Sequence, residues 1–190
     1  MNTAPNLDGL KLVSSNVTKI AEYRRMSRDT LEVQSGADLR EIVGTPDEIA
    51  LYKALEAGPG LIVEDSILVV NGEPLIDIKW RLAELKERAK TETATLSWET
   101  RLSYIKDGIV YVFFGEIRGH LRPYDIKGTG YDPIFNVEGV GQSLARLEQR
   151  GLKDQYSARA RAFQNLLAHK LHLAKRVDEL PVWTGDYQSE

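Results

Sequence analysis

The sequence predicts an α/β protein, with an elongated, twisted mixed sheet flanked by helices, on three observations. Near the N-terminus a short apolar run, 10–13, passes through Ser14-Ser15-Asn16 into a helical pattern with Ile20, Tyr23 and Met26 on one side. In the middle, Ala94, Leu96, Trp98, Leu102 and Tyr104 alternate with Thr95, Ser97, Glu99, Arg101 and Ser103, the period of a half-buried strand. Amphipathic helical patterns stand on both sides of that stretch, so strands and helices alternate along the chain.

Each element has a local reason. The run 10–13 is a buried strand, and the polar turn after it caps a helix. Strand, turn and helix N-terminus together present N–H groups and a positive dipole end to an anion. The next helix starts at Thr45 as N-cap, with Pro46 in its first turn and Glu48 closing a capping box. Ile49, Leu51, Tyr52 and Leu55 form its apolar side. Residues 61–63 read as a buried strand ending in Glu64-Asp65, and 67–70 as another, closed by the turn Asn71-Gly72-Glu73-Pro74. Leu75, Ile78, Leu82 and Leu85 mark a helix reaching about Lys90. Asp107-Gly108 is a hairpin turn, and the return strand 109–114 is apolar on both faces, hence central. Gly115 and Gly119 interrupt its continuation and suggest a bulge or a close backbone contact. A short helix is expected near 142–149, and a long last one from about Ser157, with Phe163, Leu166, Leu167 and Leu171 inward. Pro181 ends the periodic pattern, and the tail beyond it is expected to be loose. No linker divides the chain, so residues 1–190 are expected to form a single domain.

Bulk properties narrow the class. A hydrophobic fraction of 42% and a charged fraction of 28% suit a soluble globular protein. The chain has no cysteine, which excludes disulfides and thiolate metal sites and fits a cytoplasmic setting. The first nine residues lack the basic and apolar regions of a signal peptide, and no apolar run approaches the roughly 20 residues a membrane helix needs. A net charge of −3 argues against nucleic acid as a partner.

Four separated segments suggest shared chemistry. In Gly128-Thr129-Gly130-Tyr131-Asp132-Pro133-Ile134-Phe135, two glycines allow close backbone approach and a proline fixes the turn that carries an aromatic ring and a carboxylate. With Ser14-Ser15-Asn16 and Lys19, with Val63-Glu64-Asp65, and with Lys153, Ser157 and Arg159, it reads as a nucleoside triphosphate site. Lys19, one turn into the first helix, points toward the Asn16 turn; Lys53, Lys79 and Lys153 are further cations, and any one alone is more often a solvated surface lysine. Hydrolysis of a phosphoanhydride also needs carboxylates to hold a metal and activate water. Glu64 and Asp65 at a strand end, or Glu41 before the capped helix, are the candidates, against plain strand-capping and loop roles. His169 and His172, read at i, i+3 on the polar side of the last helix, and His120 at a strand edge are read as surface residues. No Walker A, Gly-x-Ser-x-Gly or Gly-x-Gly-x-x-Gly motif occurs.

In their order these segments resemble the inosine triphosphate pyrophosphatase family. The likeness runs from about Leu10 to Leu171 through Ser14-Ser15-Asn16-x-x-Lys19-x-x-Glu22, Leu39-x-Glu41 with Thr45-Pro46-Asp47-Glu48-Ile49, Leu61-Ile62-Val63-Glu64-Asp65, Ile78-Lys79-Trp80, Phe114-Gly115-x-x-x-Gly119, Gly130-Tyr131-Asp132-Pro133-Ile134-Phe135 and Ser157-x-Arg159. The resemblance implies two lobes with a central nucleotide cleft, a homodimer, and Mg²⁺-dependent hydrolysis of a nucleoside triphosphate to monophosphate and diphosphate, with Mn²⁺ as an alternative metal. It implies that Ser14, Asn16, Lys19 and Lys53 hold phosphates, and that Lys79 and Lys153 contact phosphates or sugar. Glu41 and Asp65 would bind the metal, and Asp65, with Glu64 beside it, would activate water. Tyr131 and Asp132 would shape the base pocket, and Ser157 and Arg159 would face the base edge. Substrates would be noncanonical purine nucleotides such as ITP, dITP and XTP.

Three positions depart from the family pattern. Ala158 stands where the closing motif has a histidine that reads the purine 6-keto edge, and Thr129 where eukaryotic members stack a phenylalanine. The glycine-rich turn after Glu64-Asp65 is shortened to 71–74. The phosphate half of the pattern is kept and the base-reading half altered. The same reaction with a shifted base preference, or a nucleotide-binding module without catalysis, are therefore the competing expectations.

Overall fold

The computed structural model describes residues 7–28, 30–124 and 126–188. Two compact units are assembled from separated segments. The first comprises Met1–Asp65, Arg101–Phe114 and Ala162–Glu190, the second Ser66–Thr100 and Gly115–Arg161.

In the first unit, β1 (Lys11–Ser14) pairs in parallel with β2 (Glu32–Ser35) on one side and with the start of β3 (Leu61–Val70) on the other. Between β1 and β2 runs α1 (Val17–Ser27), and α2 (Pro46–Ala57) precedes β3. The capping box of α2 is formed: Thr45 N–H donates to Glu48 Oε2 at 2.8 Å and Glu48 N–H to the Thr45 hydroxyl at 3.3 Å. The long strands β5 (Thr95–Lys106) and β6 (Ile109–Leu121) are joined by Asp107-Gly108, both with positive φ, as a two-residue hairpin of the primed type requires. Strand period sorts neighbouring residues to opposite faces. Ile62, Tyr104 and Phe113 pack with Ile20 and Tyr23 of α1 and with Phe163 and Leu166 of α5 (Ala158–Leu167). Val63, Ile105 and Val112 pack with Ala50, Leu51 and Ala54 of α2. Each such fully buried aliphatic or aromatic side chain contributes about 1.5–3 kcal/mol.

The second unit has its own core around Trp98, Phe135, Leu121, Leu85 and Leu144. Asn71 and Gly72, both at positive φ, turn β3 back into β4 (Glu73–Leu75). Helix α3 (Ile78–Arg88) buries only Leu85. Strand β7 (Phe135–Val137) pairs antiparallel with β6 opposite Gly119, where a Cβ would strike the Asn136 carbonyl and the Phe135 ring. That is the close backbone contact its glycine suggested. Ser143 caps α4 (Leu144–Gln149). Among the described residues the sheet has eight strands in the order β2-β1-β3-β5-β6-β7, with β4 on β3 and β8 (Leu173–Arg176) on β6.

Several local expectations are corrected. Residues 61–63 and 67–70 belong to one continuous strand, so Glu64 and Asp65 sit mid-strand. Backbone pairing carries the strand through a polar pair that breaks the apolar run. Leu75 belongs to β4, and α3 starts three residues later. Strands β2 and β8 are too short and too polar to show a period, and β7 is too short. The last helix does not reach Leu171. It stops at a left-handed His169, with Lys170 N–H bonded to the Asn165 carbonyl, and β8 follows. His172 is therefore off the helix, with Nε2 3.0 Å from Asp47 Oδ1. His120 lies inside the β6–β7 pair, opposite Asn136, not at a free edge. Residues 181–188 are exposed for the most part, yet they are tied down. Val43 N–H donates to the Asp186 carbonyl, Gln188 N–H to the Glu41 carbonyl, and the Tyr52 hydroxyl to the Pro181 carbonyl. The hold combines backbone pairing with side-chain contacts, to both of which apolar periodicity is blind. No helix among the described residues is long and apolar enough to cross a membrane.

Candidate active site

In the first unit the period of β3 splits the Glu64-Asp65 pair. Glu64 follows Ile62 to the α1 face and Asp65 follows Val63 to the α2 face. Each meets a helix lysine. Lys19 of α1 lies 3.1 Å from Glu64 Oε1, whose side chain is fully buried. Lys53 of α2 is almost buried and donates to Glu41 Oε1. Burial alone would pull the Lys53 ammonium down, but Asp65, then Glu41 and Glu64, hold it above the ordinary lysine value. Asp65 is pushed up: burial is the largest cause, Glu41 and Glu64 add to it, and Lys53 and Lys19 oppose it. A carboxyl raised by burial beside two ammonium groups is the environment of a tuned acid–base group.

Asn16 Oδ1 accepts from Thr18 N–H at 2.9 Å and Lys19 N–H at 3.2 Å, so the side chain caps α1 and occupies two of its end donors. The Ser14 hydroxyl accepts from Asn16 N–H at 3.1 Å. These two residues hold the turn that aims Lys19.

No group of three or more His, Cys, Asp or Glu among the described residues is arranged to hold a metal ion. The donor set still fits Mg²⁺, which keeps several waters and takes one or two carboxylates plus substrate phosphates in place of an all-protein cage. Glu41 and Asp65 both act on Lys53 and are the two carboxylates of that kind.

The second unit gathers other candidates about one ring. Trp98 is buried. Arg159 stands 5.2 Å and Lys153 5.6 Å from its ring centroid, and Tyr131 meets it edge-on at 6.1 Å. Lys153, buried, donates to Asp132 Oδ2 at 2.6 Å. The buried Ser157 hydroxyl accepts from Ala160 N–H and so caps α5. Gly128 lets the Asp132-Pro133 loop lie against Ala145, where a Cβ would collide, and Gly130 supplies a positive φ. Lys79 is not among these residues: it is exposed on α3, with its ammonium 5.5 Å from the Trp80 ring centroid.

Trp98 was missed by sequence reasoning because it occupies an ordinary inward position of an alternating strand. So was a cluster in the first unit where Asp47 accepts from Arg101 Nε at 2.6 Å and meets His172. Burial pushes Asp47 up, but Arg101 and then His172 leave it below the usual carboxylate value. Neither residue group has a local signal, because its members come from distant parts of the chain.

A model of the Ham1 family matches residues 10–169. The chain belongs to the Ham1 family. Among its Ham1 relatives, a dITP/XTP pyrophosphatase of Thermoanaerobacter sp. (strain X514) is 28% identical over 164 residues, covering 75% of this chain and 81% of that protein. One of Pyrobaculum aerophilum is 27% identical over 181 residues, covering 83% and 93%. The structure of the Staphylococcus aureus Ham1 protein matches with a TM-score of 0.62 at 26% identity, over 84% of this chain and 97% of that one. That of a Coxiella burnetii HAM1 protein matches with a TM-score of 0.59 at 25% identity, over 85% and 98%. The α/β architecture with its mixed sheet is thus the family's.

Proposed function

We propose that this Ham1 chain is a nucleoside triphosphate pyrophosphatase acting on noncanonical purine nucleotides such as ITP, dITP and XTP. The observation that carries it is Asp65, buried on β3, with its carboxyl raised and two lysines acting on it. The names of its relatives, dITP/XTP pyrophosphatases, support the substrate class.

Asp65 takes a proton from water as the water oxygen bonds to the α-phosphorus and the bond from that phosphorus to the bridging oxygen breaks. Diphosphate leaves with the bridging oxygen and its electron pair. Lys19 and Lys53, whose carboxylate partners hold them in place, supply positive charge for the oxygens where negative charge grows. Ser14 and Asn16 keep the α1 turn in register. Mg²⁺ at Glu41 and Asp65 would neutralise phosphate charge and bring the raised Asp65 carboxyl back toward its ionised form. In the second unit, Tyr131, Asp132, Lys153, Ser157 and Arg159 are read as the base and sugar side, and Lys79 as a weaker phosphate contact. A homodimer in the cytoplasm, with all 190 residues serving as one domain, belongs to the proposal by family analogy.

A second version keeps the reaction and moves the base preference. Ala158 is fully buried in the Trp98 core and offers no hydrogen bond, which favours it. The test for both is diphosphate release with Mg²⁺ across ITP, dITP, XTP and the standard nucleotides. A preference for ITP and XTP supports the first version. Faster turnover of a standard nucleotide supports the second. No release with Mg²⁺ or Mn²⁺ would overturn both and leave a binding module.

A further inference from the structure

In the second unit, a cavity of about 500 Å³ has three arginines in its wall, Arg122, Arg146 and Arg150, together with Pro123, Pro133 and Gln142. Among the described residues no carboxylate lines it. Arg150 Nη1 donates to the neutral Gln142 Oε1 at 2.8 Å. Among the described residues neither Arg122 nor Arg150 has an acidic partner. The guanidinium groups of Arg122 and Arg150, with no acid between them, repel one another and focus a positive potential into the space they share. An anion relieves that repulsion, and guanidinium forks suit phosphate oxygens in pairs. The volume falls in the range of roughly 300–1,000 Å³ typical of small-molecule sites. A monophosphate brings a charge of roughly −1.5 to −2, and a second phosphate adds the acceptor oxygens that let Arg122 and Arg150 each engage a phosphate of its own. The two prolines add rigid apolar surface beside them.

We propose that this cavity is a binding site for a diphosphate group, free as pyrophosphate or carried by a nucleotide. It lies apart in sequence from Lys19, Lys53 and Asp65 and does not depend on the hydrolytic reading.

The test is an NMR titration of the full ¹⁵N-labelled chain in EDTA, with inorganic pyrophosphate in one arm and ADP in the other. Saturable shifts of the Gly141 and Gln142 amides and of the Arg150 Nε–H are expected. They should persist in Lys19→Ala and weaken about 100-fold in affinity in Arg122→Gln/Arg150→Gln, which removes two charge-assisted donors from exposed positions. Binding of both ligands assigns the site to a nucleotide's diphosphate, and binding of pyrophosphate alone to the free anion. Equal shifts from sulfate at matched ionic strength overturn the diphosphate assignment. Shifts confined to residues around Lys19 and Lys53, or unchanged affinity in the double variant, overturn the site. Should the double variant melt early, Arg122→Lys/Arg150→Lys keeps the charge, loses the forks and is expected to weaken binding by about tenfold.

Discussion

Both units bury charge, but they do so in different ways. In the first, three carboxylates, Glu41, Glu64 and Asp65, stand with two ammonium groups, Lys19 and Lys53, and the set is acid-rich. Its lysines and Glu41 keep some exposure, at 21%, 13% and 30% of their side chains. In the second, Lys153 pairs with Asp132 at 4% and 11% exposure, and the Arg159 guanidinium stands 5.2 Å from the Trp98 ring centroid. An acid-rich, part-open cluster leaves room for a further cation and for phosphate. A fully packed one rigidifies its surroundings. On the proposed function, the first would be where chemistry is prepared and the second where shape is set.

The contrast breaks most sharply at Asp65. Asp65→Asn should keep the fold and lower diphosphate release by about 10² to 10⁴-fold, the usual worth of a general base. Parent-like turnover would remove Asp65 from the mechanism. The matching change in the second unit is Lys153→Ala. It leaves a buried carboxylate without its ammonium, and chemical denaturation should show a loss of about 3–5 kcal/mol. A loss below about 1 kcal/mol would place the pair with surface salt bridges.

Ala158→His sharpens the comparison from the packing side. The site is fully buried against the Trp98 core, so the larger ring should cost about 1–3 kcal/mol by overpacking. Trp98→Ala in the same chain should recover part of that loss. Strict additivity in the double-mutant cycle would mean that the two side chains do not share space.

The two depleted or raised carboxyls of the first unit give pH tests of opposite sign. Asp65 has its folded pKa raised, so the folded chain holds that proton more tightly than the unfolded one. Its contribution favours folding at acid pH and turns unfavourable as pH rises through the raised value. Asp65→Asn should therefore melt higher relative to the parent at pH 7 than at pH 4, by a few degrees. Activity of the parent with Mg²⁺ should also fall on acidification, but at a pH below that raised value, since the metal favours the ionised base. Asp47 is depressed, so its stabilisation is present above the ordinary carboxylate range and is lost as pH falls through its folded value. His172→Ala, which removes one partner of that part-exposed carboxylate, should be the smallest effect, about 0.5–1 kcal/mol.

Local rules were enough wherever a few neighbouring residues settle the outcome. The α2 capping box, the Asp107-Gly108 hairpin, the close contact at Gly119 and the Glu64-Asp65 pair as an acidic pair following an apolar run were all legible, because caps, primed turns and strand period act over two to four residues. Spacing also marked Lys19, Lys53, Asp132 and Lys153 as charges worth following. It could not show that β3 runs straight through its acidic pair, that His169 ends α5, or that β8 and the 181–188 segment attach by backbone pairing, since a strand's partner lies elsewhere in the chain. Lys79 looked equivalent to the other lysines and is instead exposed beside Trp80. The face each acid takes was set only by tertiary structure. Adjacent residues on a strand point opposite ways, and which way they point depends on which helix covers which side of the sheet. The same holds for Trp98, whose neighbours Tyr131, Lys153 and Arg159 reach it from 33 to 61 positions away: burial and charge pairing are properties of the packed chain, and a one-dimensional pattern carries only the residues that could supply them.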